Sequence, residues 1–288
     1  ALFETGLALE ETRSTAYEAI SRGMSMDPDS PALRFQLRQQ RSRIYWQLDL
    51  DYALAESELE QIRVEQPRSD WATLFLAGIA LHEGRRSEAL ELIANAEEMS
   101  VGGQQGIFLS WVALFRSFAG DHEAALKAST QALKLNQEGG PDTATALWVH
   151  SLILIHLERI DDATPFIDRD WELERSTKPE AFIYQFAKIG EVAGARSILT
   201  DSRYEVTNHF YLALVHLVLG DKDSTFGVIE AGIENHTQLL LASLLLAEFW
   251  NPIRDDPRFV EMLELLDSKV THTEDYLRDH HIRNVNQP

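Results

Sequence analysis

Ten histidines and several adjacent carboxylate pairs are the residues of this 288-residue chain whose types could do chemistry. Histidine offers a metal ligand or a proton carrier near neutral pH. Paired carboxylates offer acid–base work when their surroundings push their pKa values apart. The spacing argues against both uses. His150 and His156 are six apart, so on a helix at 100° per residue they point to different sides. His209 and His216 share a face but stand about 10 Å apart along the axis, too far for one ion without a third element. His280 and His281 fall in a polar terminal stretch, and neither His-x-x-x-His nor His-Glu-x-x-His occurs. The pairs Glu10-Glu11, Glu97-Glu98, Asp161-Asp162 and Asp255-Asp256 fall at expected helix ends and turns, where solvated or capping carboxylates belong. Gly102-Gly103 and Gly139-Gly140 lack the Lys-Ser/Thr that a phosphate loop needs. No nucleophile elbow is present. With no cysteine there is no thiolate, disulfide or thiolate-bound zinc. The chain is expected to have no catalytic residues, no metal site and no cofactor, and not to be an enzyme.

Composition narrows the partners. At 44% apolar and 25% charged residues the chain is ordinary globular material. Its net charge of −20 is spread along the length without a clustered basic face, which argues against nucleic acid as a partner. The acidity reads as a solubility device or, more sharply, as a surface for a basic partner. No run reaches the roughly 18 apolar residues of a membrane helix. The most apolar stretch, Leu239 to Phe249, is shorter and carries Glu248. The expected compartment is the cytoplasm, with the periplasm left open. Because the sequence starts on Ala1 inside a helical pattern, it reads as a piece of a longer polypeptide.

The elements that must position any site are helices. Strand alternation is missing, and prolines mark the boundaries at Pro28, Pro31, Pro67, Pro141, Pro165, Pro179, Pro252 and Pro257. A small residue recurs at Ala16, Ala55, Ala89, Ala125, Ala163, Ala195 and Thr225, in steps of 30–39 residues. A large apolar residue follows four positions later at Ile20, Leu59, Ile93, Ile167, Leu199 and Ile229, and only Ser129 breaks the rule. Such a period signals a solenoid, since each unit must stack on the next to bury its apolar face. The unit from Trp71 to Met99 shows the plan. Trp71 to His82 is one helix, Gly84 lies in the turn, and Ser87 to Met99 is the second helix.

On these residues the chain resembles the tetratricopeptide repeat family. Leu76-Ala77, Val112-Ala113 and Leu212-Ala213 fill the family's small pair in helix A, with Gly84, Gly120 and Gly220 at the turns. Ala16, Ile20, Gly23 and Pro28 match the helix B half of a repeat whose helix A would lie in residues 1–12. The resemblance implies an all-α superhelix of six or seven helical hairpins over residues 1–235. A C-terminal pair of capping helices would cover 236–268, and a polar tail 269–288. His236 to Trp250 reads as one apolar helix. Asp256 then caps a second helix that starts at Pro257, with Phe259, Met262, Leu263 and Leu266 on one face. Pro252 to Phe259, with Leu263 to Leu266 after it, also resembles the ending of repeat domains in bacterial regulatory proteins, a similarity that spans about residues 205–268. In those, the repeats follow a class III adenylate cyclase, a winged-helix regulator or a serine/threonine kinase.

That family binds partners in a concave groove lined by helix A. The matching places here are Trp71, Leu74 and His82, then Trp148, Leu152 and His156, then Thr177, Glu180, Tyr184 and Lys188. Trp and Tyr are frequent binding anchors; the plainer reading is that these rings fill gaps between helices. Gly78, Leu114, Leu152 and Tyr184 stand where chaperone-tail receptors of the family place their carboxylate clamp, so that clamp is absent. The resemblance implies a scaffold that binds a protein or peptide partner. The alternative is a regulator whose groove holds its own effector domain or tail.

Overall fold

The computed structural model describes residues 9–26, 30–100, 106–136, 143–174 and 208–270, with residues 190 and 193. Among them every regular element is helical. Helix α1 is Leu9–Met26, α2 Pro31–Ile44, α3 Tyr52–Glu65, α4 Asp70–His82 and α5 Arg86–Met99. Next come α6 Gly106–Phe118, α7 His122–Leu135, α8 Thr143–His156 and α9 Ile160–Glu174. After the undescribed stretch, α10 is His209–Val218, α11 Lys222–Glu234, α12 Gln238–Leu244, α13 Asn251–Arg254 and α14 Pro257–Lys269. The pairs α2–α3, α4–α5, α6–α7, α8–α9 and α10–α11 pack as hairpins, and the first helices α4, α6 and α8 touch one another in succession. Tyr184, Lys188, Ala195 and Leu199 lie outside the described residues, as do 1–8 and 271–288.

The small-residue register is the joint of each hairpin. Ala55, Ala89, Ala125, Ala163 and Thr225 have no exposed surface, and Leu59, Ile93, Ile167 and Ile229 four positions on are buried with them. Ser129, the exception, meets a polar partner: its hydroxyl shares a 2.9 Å hydrogen bond with His150 Nδ1. A buried hydroxyl and a buried imidazole thereby satisfy each other. Gly84, Gly120 and Gly220 take the left-handed turn at φ of 71°, 78° and 78°, a conformation that glycine adopts without strain. Glu158 holds the same place between α8 and α9 at φ 57°.

Three elements depart from expectation. First, α1 is one helix, so residues 9–12 extend helix B rather than forming a separate helix A. Second, α2 runs on into a π-helical turn, Tyr45–Asp49, that ends at Leu50 in the left-handed region. Third, His236 to Trp250 is not one helix. His236 turns left-handed at φ 52°, α12 is only seven residues, and Ala247 is extended before a short 3-10 turn at Glu248–Trp250. Asp256 does cap α14, accepting from the Arg258 N–H, with Pro257 as first helical residue.

Candidate functional site

The helix A positions named from the sequence separate by burial. Leu74 and Leu152 have no exposed surface and His82 only 3%. In this conformation those three supply no surface to a partner. The reason is that α4 and α8 are apolar nearly all round, so neighbouring helices cover several faces at once. His82 shares a 3.2 Å hydrogen bond with the Tyr52 hydroxyl, and Trp46 and Tyr52 meet its ring edge-on at 5.4 and 5.5 Å. Burial pushes its pKa down to about 3, so the ring is neutral at any ordinary pH.

Trp71, Trp148 and His156 keep part of their surface exposed. Trp71 stands edge-on to Phe108 at 5.2 Å and against Phe75 at 5.7 Å. Trp148 stands edge-on to Tyr211 at 5.8 Å. His156 shares a 2.9 Å hydrogen bond with the Ser117 hydroxyl and lies 6.0 Å from the His122 ring. Phe75 on α4 and Trp111 on α6 are also partly exposed, so the first helices of three successive hairpins each carry partly exposed aromatic residues.

The C-terminal ends of these first helices are covered by the chain itself, which the sequence did not foretell. Past α11 the backbone turns back over the array. His236 Nδ1 hydrogen-bonds the Leu48 carbonyl, 188 residues away, at 2.8 Å. Helix α12 then packs on α4. Leu245 lies over Gly84, and Glu248 stands 3.3 Å from His122 Nε2. Phe249 reaches Phe118 at 6.0 Å, His156 at 5.2 Å and Phe210 at 5.7 Å. The segment thus crosses the C-terminal ends of α4, α6 and α8 in order, as an extended ligand would. Its inward side chains, Leu240, Leu241, Leu244, Ala247 and Trp250, have no exposed surface. One signal pointed here: Leu239 to Phe249 is the most apolar stretch of the chain.

Among the described residues no group of three His, Asp or Glu side chains is placed to hold a metal ion. None of their helices is long and apolar enough to cross a membrane. Of the carboxylate pairs, Asp161 and Asp162 sit in the first turn of α9 and Glu97 is ion-paired with Arg116. The Arg258 guanidinium beside Asp256 holds that carboxyl below its usual range.

Comparison with protein-family models and with curated proteins gives no match. Among solved structures the chain is similar to PilW, described as a widely conserved type IV pilus biogenesis factor. The similarity has a TM-score of 0.51 at 15% sequence identity and covers 80% of this chain and 98% of PilW. At that identity the likeness concerns the fold, which is an all-α array of tetratricopeptide-like hairpins.

Proposed function

We propose that this chain is a protein-interaction scaffold that holds a peptide or partner domain against the first-helix face of its hairpins. The observation that carries the reading is the aromatic surface of Trp71, Phe75, Trp111 and Trp148, partly exposed and repeated along the array. Aromatic side chains bury much apolar area at small entropic cost and serve as anchors at interfaces. Regular hairpins hold them at fixed spacing, so binding need order little of the scaffold. The net charge of −20 favours a partner segment with basic flanks. The likeness to PilW, a type IV pilus biogenesis factor, supports the repeat fold on which this reading rests. Attachment to a regulatory effector, as the C-terminal residues Pro252 to Phe259 suggest, remains part of this proposal.

A second reading, an intramolecular regulator, is favoured by one observation. Residues 236–250 already lie across the C-terminal ends of the helices that would carry a partner.

The test is capture of partners in the source cell with the wild-type chain, Trp148→Ala and the control Val260→Ala, followed by binding with the purified partner. Val260 is 53% exposed on α14. Trp148→Ala is expected to lose the partner with an unchanged circular dichroism spectrum, while Val260→Ala keeps it. A partner held equally by both variants removes the aromatic face from the account.

A further inference from the structure

The segment that crosses the array is not uniformly fixed. Its first part, α12, is anchored by Leu240, Leu241 and Leu244, all without exposed surface. Residues 245–249 are different. Ala247 is fully buried, but Leu245, Leu246 and Phe249 are only partly buried and Glu248 is exposed. Around the 3-10 turn, Ala247 N–H donates to the Ser243 carbonyl, Trp250 N–H makes a long 3.4 Å bond to the Ala247 carbonyl, and Asn251 N–H donates to the Glu248 carbonyl. Four contacts hold the stretch down. Arg254 Nη2 donates to the Ala247 carbonyl at 3.0 Å. Leu245 lies on Gly84, where the missing side chain leaves room for it. Glu248 meets His122. Phe249 enters the ring of Phe118, His156 and Phe210.

We infer that residues 245–249 are a strap that lifts, and that the aromatic pocket under Phe249 is a docking site for a partner segment. The segment that fits is stated by the strap's own chemistry: an aromatic residue preceded by an acidic one, with aliphatic residues before them. Phe118 and Phe210 receive the ring, the His122 edge receives the carboxylate, and the gap at Gly84 receives the aliphatic side chain. The acidic residue matters because His122 and the nearby Arg86, which bonds the Ala119 carbonyl, stand at its place. This inference rests on the scaffold reading, since it names where on the array one partner segment docks.

Energetics shape the expected behaviour. A tethered strap competes at the high effective concentration of an intramolecular ligand. A free segment therefore binds with an affinity lowered by the fraction of molecules whose strap is open. Anything that lifts the strap raises that affinity, and anything that fixes it abolishes binding.

The chain's lack of cysteine permits a clean lock. A β-carbon at position 84 would stand 3.7 Å from Cβ of Leu245, the separation a disulfide needs. In the double variant Gly84→Cys/Leu245→Cys, oxidation staples the strap down and reduction frees it. The left-handed turn at position 84 strains the cysteine equally in both forms. The probe is a fluorescein-labelled peptide copying residues 243–251, read by fluorescence anisotropy on the full chain. A control peptide carries Ala in place of its Phe. The reduced double variant is expected to bind the probe at least tenfold more tightly than the oxidised one. Phe249→Ala, which empties the pocket, is expected to bind it at least tenfold more tightly than the wild type, and the control peptide is expected not to bind. Equal affinity in the two redox forms overturns the strap, and so does failure of the probe to bind both the reduced double variant and Phe249→Ala. Either failure leaves partner capture through Trp148 untouched, so it is separable from failure of the scaffold reading.

Discussion

Leu152→Ala separates a groove residue from a core residue. Leu152 faces the family's groove by its place in the register, yet it has no exposed surface. Truncation to alanine removes three carbons. At about 0.8 kcal/mol for each buried methylene the transfer loss is about 2.4 kcal/mol. The void left in the core adds to this, because rigid helices collapse only in part, and the total comes to about 3–4 kcal/mol. Leu135→Ala is the matched control: the same atoms removed from the end of α7, where the side chain is 51% exposed. Its cost is expected to stay within about 0.5 kcal/mol, as for other surface changes. Urea unfolding followed by circular dichroism reads both. At a slope of about 3 kcal/mol per molar, Leu152→Ala lowers the midpoint by about 1 M and Leu135→Ala leaves it nearly in place. Similar small shifts for the two variants would return Leu152 to an open groove and refute the packing described for α8.

Two further outcomes follow from buried polar groups. His82 has a pKa near 3 in the folded chain and about 6.5 when unfolded, so the unfolded state takes up the proton first. Its contribution to stability is intact above pH 6.5, declines as pH falls and levels off near pH 3. Between pH 7.5 and 5 this amounts to about 2 kcal/mol, so wild type should lose about that much more than His82→Gln in paired urea titrations, and parallel profiles would exclude it. Asp51 caps α3 by accepting from the Leu54 N–H at 2.9 Å. Asp51→Ala is expected to cost about 1 kcal/mol or more and Asp51→Asn much less; an equal loss in thermal melts would mean the cap is not the cause.

The hairpin joints were legible because their signal is local. A residue that must be small where two helices cross recurs with the unit, and a large residue follows one turn later on the same face. Gly84, Gly120 and Gly220 were readable because a left-handed turn favours glycine, and the Asp256-Pro257 start of α14 because capping is written in adjacent residues. Burial at the helix A places was not. Leu74 and Leu152 are apolar whether they line a groove or fill a core, and only the neighbours decide. The crossing of residues 236–250 was least legible of all. It joins His236 to Leu48 and Phe249 to Phe118 across more than a hundred residues, and contacts of that range leave no period in a sequence. Its one local trace, the apolar run up to Phe249, reads equally well as a terminal helix. Likewise, Ser129 breaks the pattern visibly, but its partner His150 sits on the next hairpin.

The central claim is that residues 236–250 fold back across the C-terminal ends of the chain's own first helices. A double-mutant cycle between Phe118 and Phe249 tests it most directly. The two rings meet edge-on at 6.0 Å, although 131 positions separate them in the sequence. Phe118→Leu, Phe249→Leu and the double variant, compared by urea unfolding, should show a coupling of about 0.5–1.5 kcal/mol. Additive costs, with no coupling, would place Phe249 away from Phe118 and leave the array open.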